Sequence, residues 1–313
     1  MGLYLVTGGA GFIGSHLVEA LVLEGRRVRV VDNLSTGRLE NLADVLSQID
    51  FVEADLADPL VALKASADVE TVFHLAALPS VQRSVDDPVA THHAAATATV
   101  HVLDAARKAG VGRVVYAASS SVYGGLGEEM GQSEGACPAP RSPYAVAKLA
   151  GEYYARAFAD CYGLETICLR LFNVFGPRQR PDSAYAGAVP RFCSLMLKGE
   201  SPIIHGDGKQ SRDFTFVENV VAALQLAAVH AIPGSVFNIG TGKAVTLLEI
   251  VERLNELLGT RIEPIHRSAK PGDVRASKAD IRQAQGVLGY RVAIPFQEGL
   301  ERTLAWCRNQ SRA

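Results

Sequence analysis

The feature that most constrains this chain is the order of its apolar runs. Leu3 to Val6, Val28 to Val31, Val72 to Leu75, Val114 to Ala117 and Thr166 to Leu171 are short, rich in β-branched residues and not alternating. Such runs are the signature of strands buried on both faces of a parallel sheet. Between them, Ile13 to Leu23, Pro88 to Lys108 and Pro143 to Cys161 carry apolar residues at helical spacing. Parallel strands need crossovers, and right-handed helical crossovers cover both faces of the sheet. The expected fold class is therefore α/β, a doubly wound (Rossmann-type) parallel sheet.

After Phe172 the rhythm breaks. A loop rich in Gly, Pro and Arg, Asn173 to Gly187, precedes a mixed α/β half with helix-like Val217 to Ala228 and Leu247 to Leu258. A chain of 313 residues accommodates two closely packed domains. We expect a first domain over 1–172, receiving segments from about 213–240, and a smaller one over 173–313 that covers a ligand. Strand-like Ser235 to Ile239 is compatible with either.

Composition removes several classes of function. Charged residues make up 20%, the formal net charge is −2 and no long single-sign run occurs, so there is no electrostatic handle for nucleic acid or an anionic membrane. No apolar run reaches the roughly 18 residues of a spanning helix, and Met1 leads directly into a strand without a basic leader. The expectation is a cytoplasmic protein with no membrane or nucleic-acid partner. Cys137, Cys161, Cys168, Cys193 and Cys307 are odd in number and lack CxxC or Cys/His spacing, which points to reduced thiols and no metal site.

The first strand runs into Thr7-Gly8-Gly9-Ala10-Gly11-Phe12-Ile13-Gly14 and then a helix, so Gly8, Gly11 and Gly14 form GxxGxxG in a strand–turn–helix setting. Without Cβ atoms the backbone turns tightly and a pyrophosphate can approach the helix N-terminus, where unpaired N–H groups and the helix dipole favour an anion. A plain glycine turn would not need the second strand that follows. That strand ends at Asp32-Asn33, where a carboxylate can accept hydrogen bonds from both ribose hydroxyls and would repel a 2′-phosphate. The cofactor expected is NAD.

Tyr144 and Lys148 stand four residues apart at the start of a helix and so share a face. A lysine ammonium beside a phenol favours the phenolate, moving a tyrosine from about 10 towards the operating pH. Alone, such a pair usually marks an exposed helix face. Here Ala118-Ser119-Ser120-Ser121 follows the Val114 to Ala117 strand, placing hydroxyls at the C-terminal edge of the sheet where doubly wound folds bind ligands.

With these residues in view, the chain resembles an extended short-chain dehydrogenase/reductase of the UDP-hexose 4-epimerase family over nearly its whole length. The likeness rests on Gly8/Gly11/Gly14, Asp32-Asn33-Leu34-Ser35-Thr36-Gly37, Ala54-Asp55-Leu56, His74-Leu75-Ala76-Ala77, Ser119 to Gly124, Tyr144/Lys148 and Leu171 to Arg178. It continues in Gly206-Asp207-Gly208, Ser211-Arg212-Asp213 and Pro271 to Arg275. The resemblance implies NAD contacts from the three glycines with Phe12, Ile13, Asp32, Asn33, Ser35, Gly37, Asp55, Leu56, Leu75, Ala76, Ala77, Tyr144 and Lys148. It implies Tyr144 as base supported by Lys148, with Ser119 and Ser120 as catalytic hydroxyls. For a UDP-sugar it implies Ser80, Ser119, Ser121, Asn173, Ala188, Val189, Arg212, Arg275 and Ser277. Asn173, Arg212 and Arg275 would hold the diphosphate, a task suited to forked guanidinium groups.

What the resemblance implies chemically is removal of the 4-hydroxyl proton by Tyr144 with hydride passing to NAD⁺, then rotation of the 4-keto sugar and return of the hydride. Relatives that dehydrate or decarboxylate carry carboxylates beside the catalytic hydroxyl, whereas Ser120 and Ser121 stand there here. A UDP-glucuronate 4-epimerase is the nearest enzymatic rival, and a non-catalytic NAD-binding regulator is the alternative of another class. Small Ser277, and Ala184 to Arg191, imply acceptance of UDP-GlcNAc/UDP-GalNAc beside UDP-Glc/UDP-Gal. Relatives commonly have Asn and Gly near Ala95 and Ala98, so the alanines imply a lost cofactor contact. A homodimer built through Pro88 to Lys108 and Pro143 to Cys161 is the family expectation.

Overall fold

The structure, a computed structural model, describes residues 2–125, 131–181, 186–230, 232–269 and 274–310. Strands β1 (Leu3–Thr7), β2 (Arg27–Asp32), β3 (Asp50–Glu53), β4 (Val69–His74), β5 (Arg113–Ser119) and β6 (Glu165–Leu171) form one sheet with the later strand Ser235–Ile239. The spatial order is Ser235–Ile239, β6, β5, β4, β1, β2, β3, and every neighbouring pair is parallel. The expected doubly wound sheet is thus present.

Helices α1 (Phe12–Leu23), α2 (Pro59–Ala65), α3 (Val81–Asp86), α4 (Pro88–His92), α5 (Ala98–Ala109), α6 (Pro143–Tyr162), α7 (Ala188–Leu197), α8 (Val217–His230), α9 (Leu247–Leu258) and α10 (Phe296–Gln310) complete the fold. α1 and α8 bury Leu17, Leu21, Val220 and Leu224 on one face of the sheet. α2, α5 and α6 bury Ala62, Val102, Leu103 and Ala155 on the other. A separate core of Phe175, Phe192, Phe214, Phe216, Leu254 and Leu300 draws in α7, α9 and α10. Strand order reverses between β1 and β4, which opens a crevice at the carboxyl ends of the strands.

Two details differ from the pattern reading. β3 is a strand although Asp50-Phe51-Val52-Glu53 is no apolar run; it is the sheet edge, paired on one side and partly exposed, so it does not need to be apolar throughout. The helix expected over Pro88 to Lys108 contains one wide turn, His93–Thr97, between α4 and α5. Such turns leave backbone groups displaced from the regular ladder, and here the Thr99 hydroxyl takes up the Ala95 carbonyl. No described helix is long and apolar enough to cross a membrane.

Candidate active site

The glycine loop is shaped by backbone contact. Gly8 has φ +68°, and a Cβ there would lie 2.9 Å from Ala76 Cα; a Cβ on Gly14 would lie 2.1 Å from Gly8 O. Gly11 precedes α1 with no side-chain cap, so the first N–H groups of the helix remain available to an anion. Asp32, at the end of β2, is almost buried and accepts from Ala10 N–H and Leu34 N–H, each at 2.9 Å. Burial raises its carboxyl, and these backbone donors pull it back. The residue read as a ribose acceptor therefore also fastens the loop. Asn33 donates to Asp55 Oδ2 at 3.0 Å, joining the ends of β2 and β3.

At the end of β4 sits a buried histidine to which the sequence motif alone assigns no role. His74 is 1% exposed, with Nδ1 2.8 Å from Thr7 Oγ1 and Nε2 3.0 Å from Thr99 Oγ1. Thr7 Oγ1 already accepts from Leu75 N–H at 3.1 Å and Ala76 N–H at 3.2 Å. Its own hydrogen must then go to Nδ1, so Nε2–H donates to Thr99, whose hydrogen goes to Ala95 O. The imidazole is neutral: burial, with Lys148 adding repulsion, lowers its pKa to about 3. This chain fixes Ala76 against Gly8 and ties the wide turn, with cleft-lining Ala94 and Ala98, to β4.

Ser142 caps α6, accepting from Ala145 N–H at 3.2 Å with Pro143 at the first helical position. This sets Tyr144 and Lys148 on adjoining turns facing β5. Lys148 is 3% exposed; Nζ donates to Ala117 O at 2.8 Å and lies over the Tyr116 ring at 4.9 Å. Burial lowers its pKa to about 8, opposed by the Glu152 charge. Tyr144 differs from expectation. Burial raises its phenol, and the Ser119 hydroxyl acts against that. Ser121 Oγ donates to Ser119 Oγ at 2.9 Å, leaving the Ser119 hydroxyl hydrogen for another acceptor.

These residues line one cleft of about 1000 Å³. Gly8, Gly11, Phe12, Ile13, Gly14, Asp32, Asn33, Ser35, Asp55, Leu56, Leu75, Ala76 and Ala77 border it on the glycine-loop side. Ser119, Ser120, Ser121, Tyr144 and Lys148 lie in its wall, and Asn173, Ala188, Arg212 and Ser277 complete it. Four expected residues do not line it. Gly37 backs Asp32, Ser80 caps α3 by accepting from Arg83 N–H, and Val189 is buried in the phenylalanine core. Arg275 is exposed and forks onto Asp207 at 2.9 and 3.0 Å, since a nearby surface carboxylate satisfies its guanidinium. Ala184, Tyr185 and Pro271 to Asp273 lie outside the described residues.

The cleft also contains Arg191, the end of the Ala184 to Arg191 stretch, and Arg180, Gln132 and Gln210, to which the sequence assigned no individual role. The two arginines had a signal, because both stand in or just after the Gly-, Pro- and Arg-containing 173–187 loop. Gln132 had none. Behind the wall, Arg170 on β6 forks onto Glu152 at 3.1 and 2.8 Å, and donates to Tyr123 Oη at 2.9 Å.

The glycine cradle, uncapped helix end and strand-end carboxylate fit a dinucleotide, and the hydroxyl–phenol–ammonium set fits proton transfer at its far end. Comparison with known proteins agrees. The chain is 40% identical to the UDP-glucose 4-epimerase of Mycolicibacterium smegmatis over 98% of its length and 99% of that protein. It superposes with TM-score 0.94 on the UDP-N-acetylglucosamine 4-epimerase of Methanobrevibacter ruminantium M1 in complex with UDP-N-acetylmuramic acid, at 37% identity and 99% of both chains. MoeE5 in complex with UDP-glucuronic acid and NAD gives 0.88 at 43% identity, covering 99% of this chain and 100% of that one. A family model matches residues 4–240, and the chain belongs to the NAD dependent epimerase/dehydratase family.

Proposed function

We propose that this protein epimerises C4 of a UDP-hexose through a transient 4-keto sugar, taking UDP-Glc/UDP-Gal and UDP-GlcNAc/UDP-GalNAc. The observation that carries the reading is the meeting of Ser119, Tyr144 and Lys148 in one cleft, with the dinucleotide cradle on one side and Asn173 and Arg212 on the other. In this reading residues 1–172, with segments from about 213–240, serve the dinucleotide and 173–313 the nucleotide sugar. When bound, the nicotinamide supplies hydride acceptance and return at C4. The three glycines, Asp32 and Lys148 hold the cofactor. Tyr144 takes the 4-hydroxyl proton and gives it back, Ser119 donates to the same oxygen, and Lys148 steadies the phenolate once charge develops. Asn173 and Arg212 anchor the diphosphate while the ring turns, with Arg180 and Arg191 adding positive charge to the same wall.

The likeness to a protein solved with UDP-glucuronic acid favours one second reading, epimerisation of a UDP-hexuronate at the same carbon. Incubation with UDP-Glc, UDP-GlcNAc and UDP-GlcA separately, read by NMR, assigns the substrate. Tyr144→Phe is expected to lower turnover at least a hundredfold with unchanged thermal stability; near-normal activity in that variant rejects the scheme. The reading includes a homodimer: Val85, Val89, Val146, Tyr153 and Tyr154 leave exposed apolar surface on α3, α4 and α6. It also includes a cytoplasmic location, which the five free thiols suit.

A further inference from the structure

The wall that contains Tyr144 and Arg212 also contains a side-chain pair with no task so far. Gln132 is 2% exposed and lines the cleft, and Ser277 Oγ donates to its Oε1 at 3.0 Å. The backbone holds Gln132 independently of its side chain: its N–H donates to Lys278 O at 2.8 Å, and its carbonyl accepts from Asp280 N–H at 2.9 Å. That carbonyl also accepts from Asn238 Nδ2 at 2.8 Å, and Asn238 Oδ1 accepts from Tyr123 Oη at 2.7 Å. Tyr123 ends the turn that begins at Ser120, so Gln132 is tied to the hydroxyl strip beside Tyr144. On its other side, Ser277 stands opposite Arg212 in the parallel pairing of their strands.

This placement has a chemical consequence. In a pyranose, C1 and C4 are opposite corners of the ring. In the reading above, a hexose with C4 at Tyr144 and its C1 diphosphate at Arg212 lies in the cleft lined by the Gln132–Ser277 pair, with Ser277 beside the diphosphate end. With Oε1 held by Ser277, both hydrogens of the carboxamide sit on Nε2, and no described residue accepts from that atom. A donor so oriented matches an acceptor oxygen, whether hydroxyl or acetamido carbonyl, on the ring carbons between C1 and C4.

We propose that Gln132 is a specificity-determining residue whose Nε2 donates to a ring substituent of the nucleotide sugar, with Ser277 as its positioning residue. The proposal rests on the diphosphate and C4 placement of the reading above. Gln132→Leu removes the donor and keeps the backbone contacts; Gln132→Glu replaces the donor by an acceptor at nearly the same shape. Losing one neutral hydrogen bond should raise KM for the preferred UDP-sugar about three- to tenfold, with kcat within twofold and dinucleotide content unchanged. The Glu variant should lose at least as much as the Leu variant, and Ser277→Ala should lose less than either.

The ratio of kcat/KM for UDP-GlcNAc over UDP-Glc identifies the acceptor: a changed ratio assigns the acetamido carbonyl, and an unchanged ratio with raised KM assigns a hydroxyl common to both. Unaltered KM on every sugar in both Gln132 variants overturns the proposal, as does a larger loss in Ser277→Ala than in Gln132→Leu. If wild-type protein turns over no UDP-sugar, the functional reading fails by itself. Calorimetric titration of UDP-Glc and UDP-GlcNAc into wild type and Gln132→Leu then still decides whether Gln132 contributes to binding.

Discussion

Lowering the pH from 7 to 5 should weaken this protein through a single buried imidazole, and the size of the effect can be worked out. His74 has both ring nitrogens satisfied in its neutral form, by a hydrogen from Thr7 and by an acceptor on Thr99. Protonation would put a second N–H against the Thr7 hydroxyl, which already faces two backbone donors. The folded value is about 3, against 6.5 for an unperturbed imidazole. Between those values the unfolded chain binds a proton that the native state refuses, so stability is present above about 6.5 and is lost as pH falls towards about 3. From pH 7 to pH 5 the single-site linkage relation gives a loss of about 2 kcal/mol.

Over 313 residues, at about 2.1 cal/mol/K per residue, the unfolding entropy is about 0.7 kcal/mol/K. A loss of about 2 kcal/mol then lowers Tm by about 3 °C. Other groups titrate in this window, His16 among them with its pKa also lowered by burial. The informative quantity is therefore a difference between proteins. Thermal scans of wild type and His74→Gln at pH 7 and pH 5, in matched buffers with saturating NAD, should show a Tm drop about 3 °C larger in wild type. Equal drops in the two proteins would refute the neutral, hydrogen-bonded imidazole, whatever the absolute stability of the variant.

Two further outcomes follow from backbone and charge. Gly14→Ala sets a Cβ 2.1 Å from Gly8 O, backbone against backbone, so the loop must open; dinucleotide retained after gel filtration should fall at least tenfold, and full retention would contradict the close approach. Arg170 and Glu152 are 5% and 2% exposed, so Arg170→Met strands a buried carboxylate and should cost about 3–5 kcal/mol, about 5–8 °C in Tm. Adding Glu152→Leu should restore a large part of that loss, and a double variant no better than the single would show that the pair is not the source.

The fold was legible because burial on two faces writes itself into composition. β1, β4 and β5 have neighbours on both sides and helices on both faces, so Leu3 to Val6, Val72 to Leu75 and Val114 to Ala117 had to be largely apolar, His74 being admitted only with both ring nitrogens hydrogen-bonded. β3, paired on one side only, is under no such demand and left no apolar run. The dinucleotide side of the cleft was legible for a related reason. Gly8 and Gly14 are excluded from having side chains by atoms a few residues away or on the adjoining strand, and a spaced set of glycines is visible in any sequence.

The substrate side was only partly legible, because its geometry is made by contacts between distant segments. Arg275 and Arg212 look alike in the chain, yet Arg212 lines the cleft while Arg275 is drawn to Asp207, 68 positions away. Gln132 and Ser277 are 145 positions apart and meet because the Gln132 backbone pairs directly with Lys278 and Asp280, with Asn238 also holding the Gln132 carbonyl. Nothing local in Gly131-Gln132-Ser133 announces a site. Tyr144 shows the limit from the other direction: its four-residue spacing from Lys148 was readable, but the sign of its electrostatics was not. Burial of both side chains outweighs their proximity, so the lysine loses proton affinity and the phenol gains it.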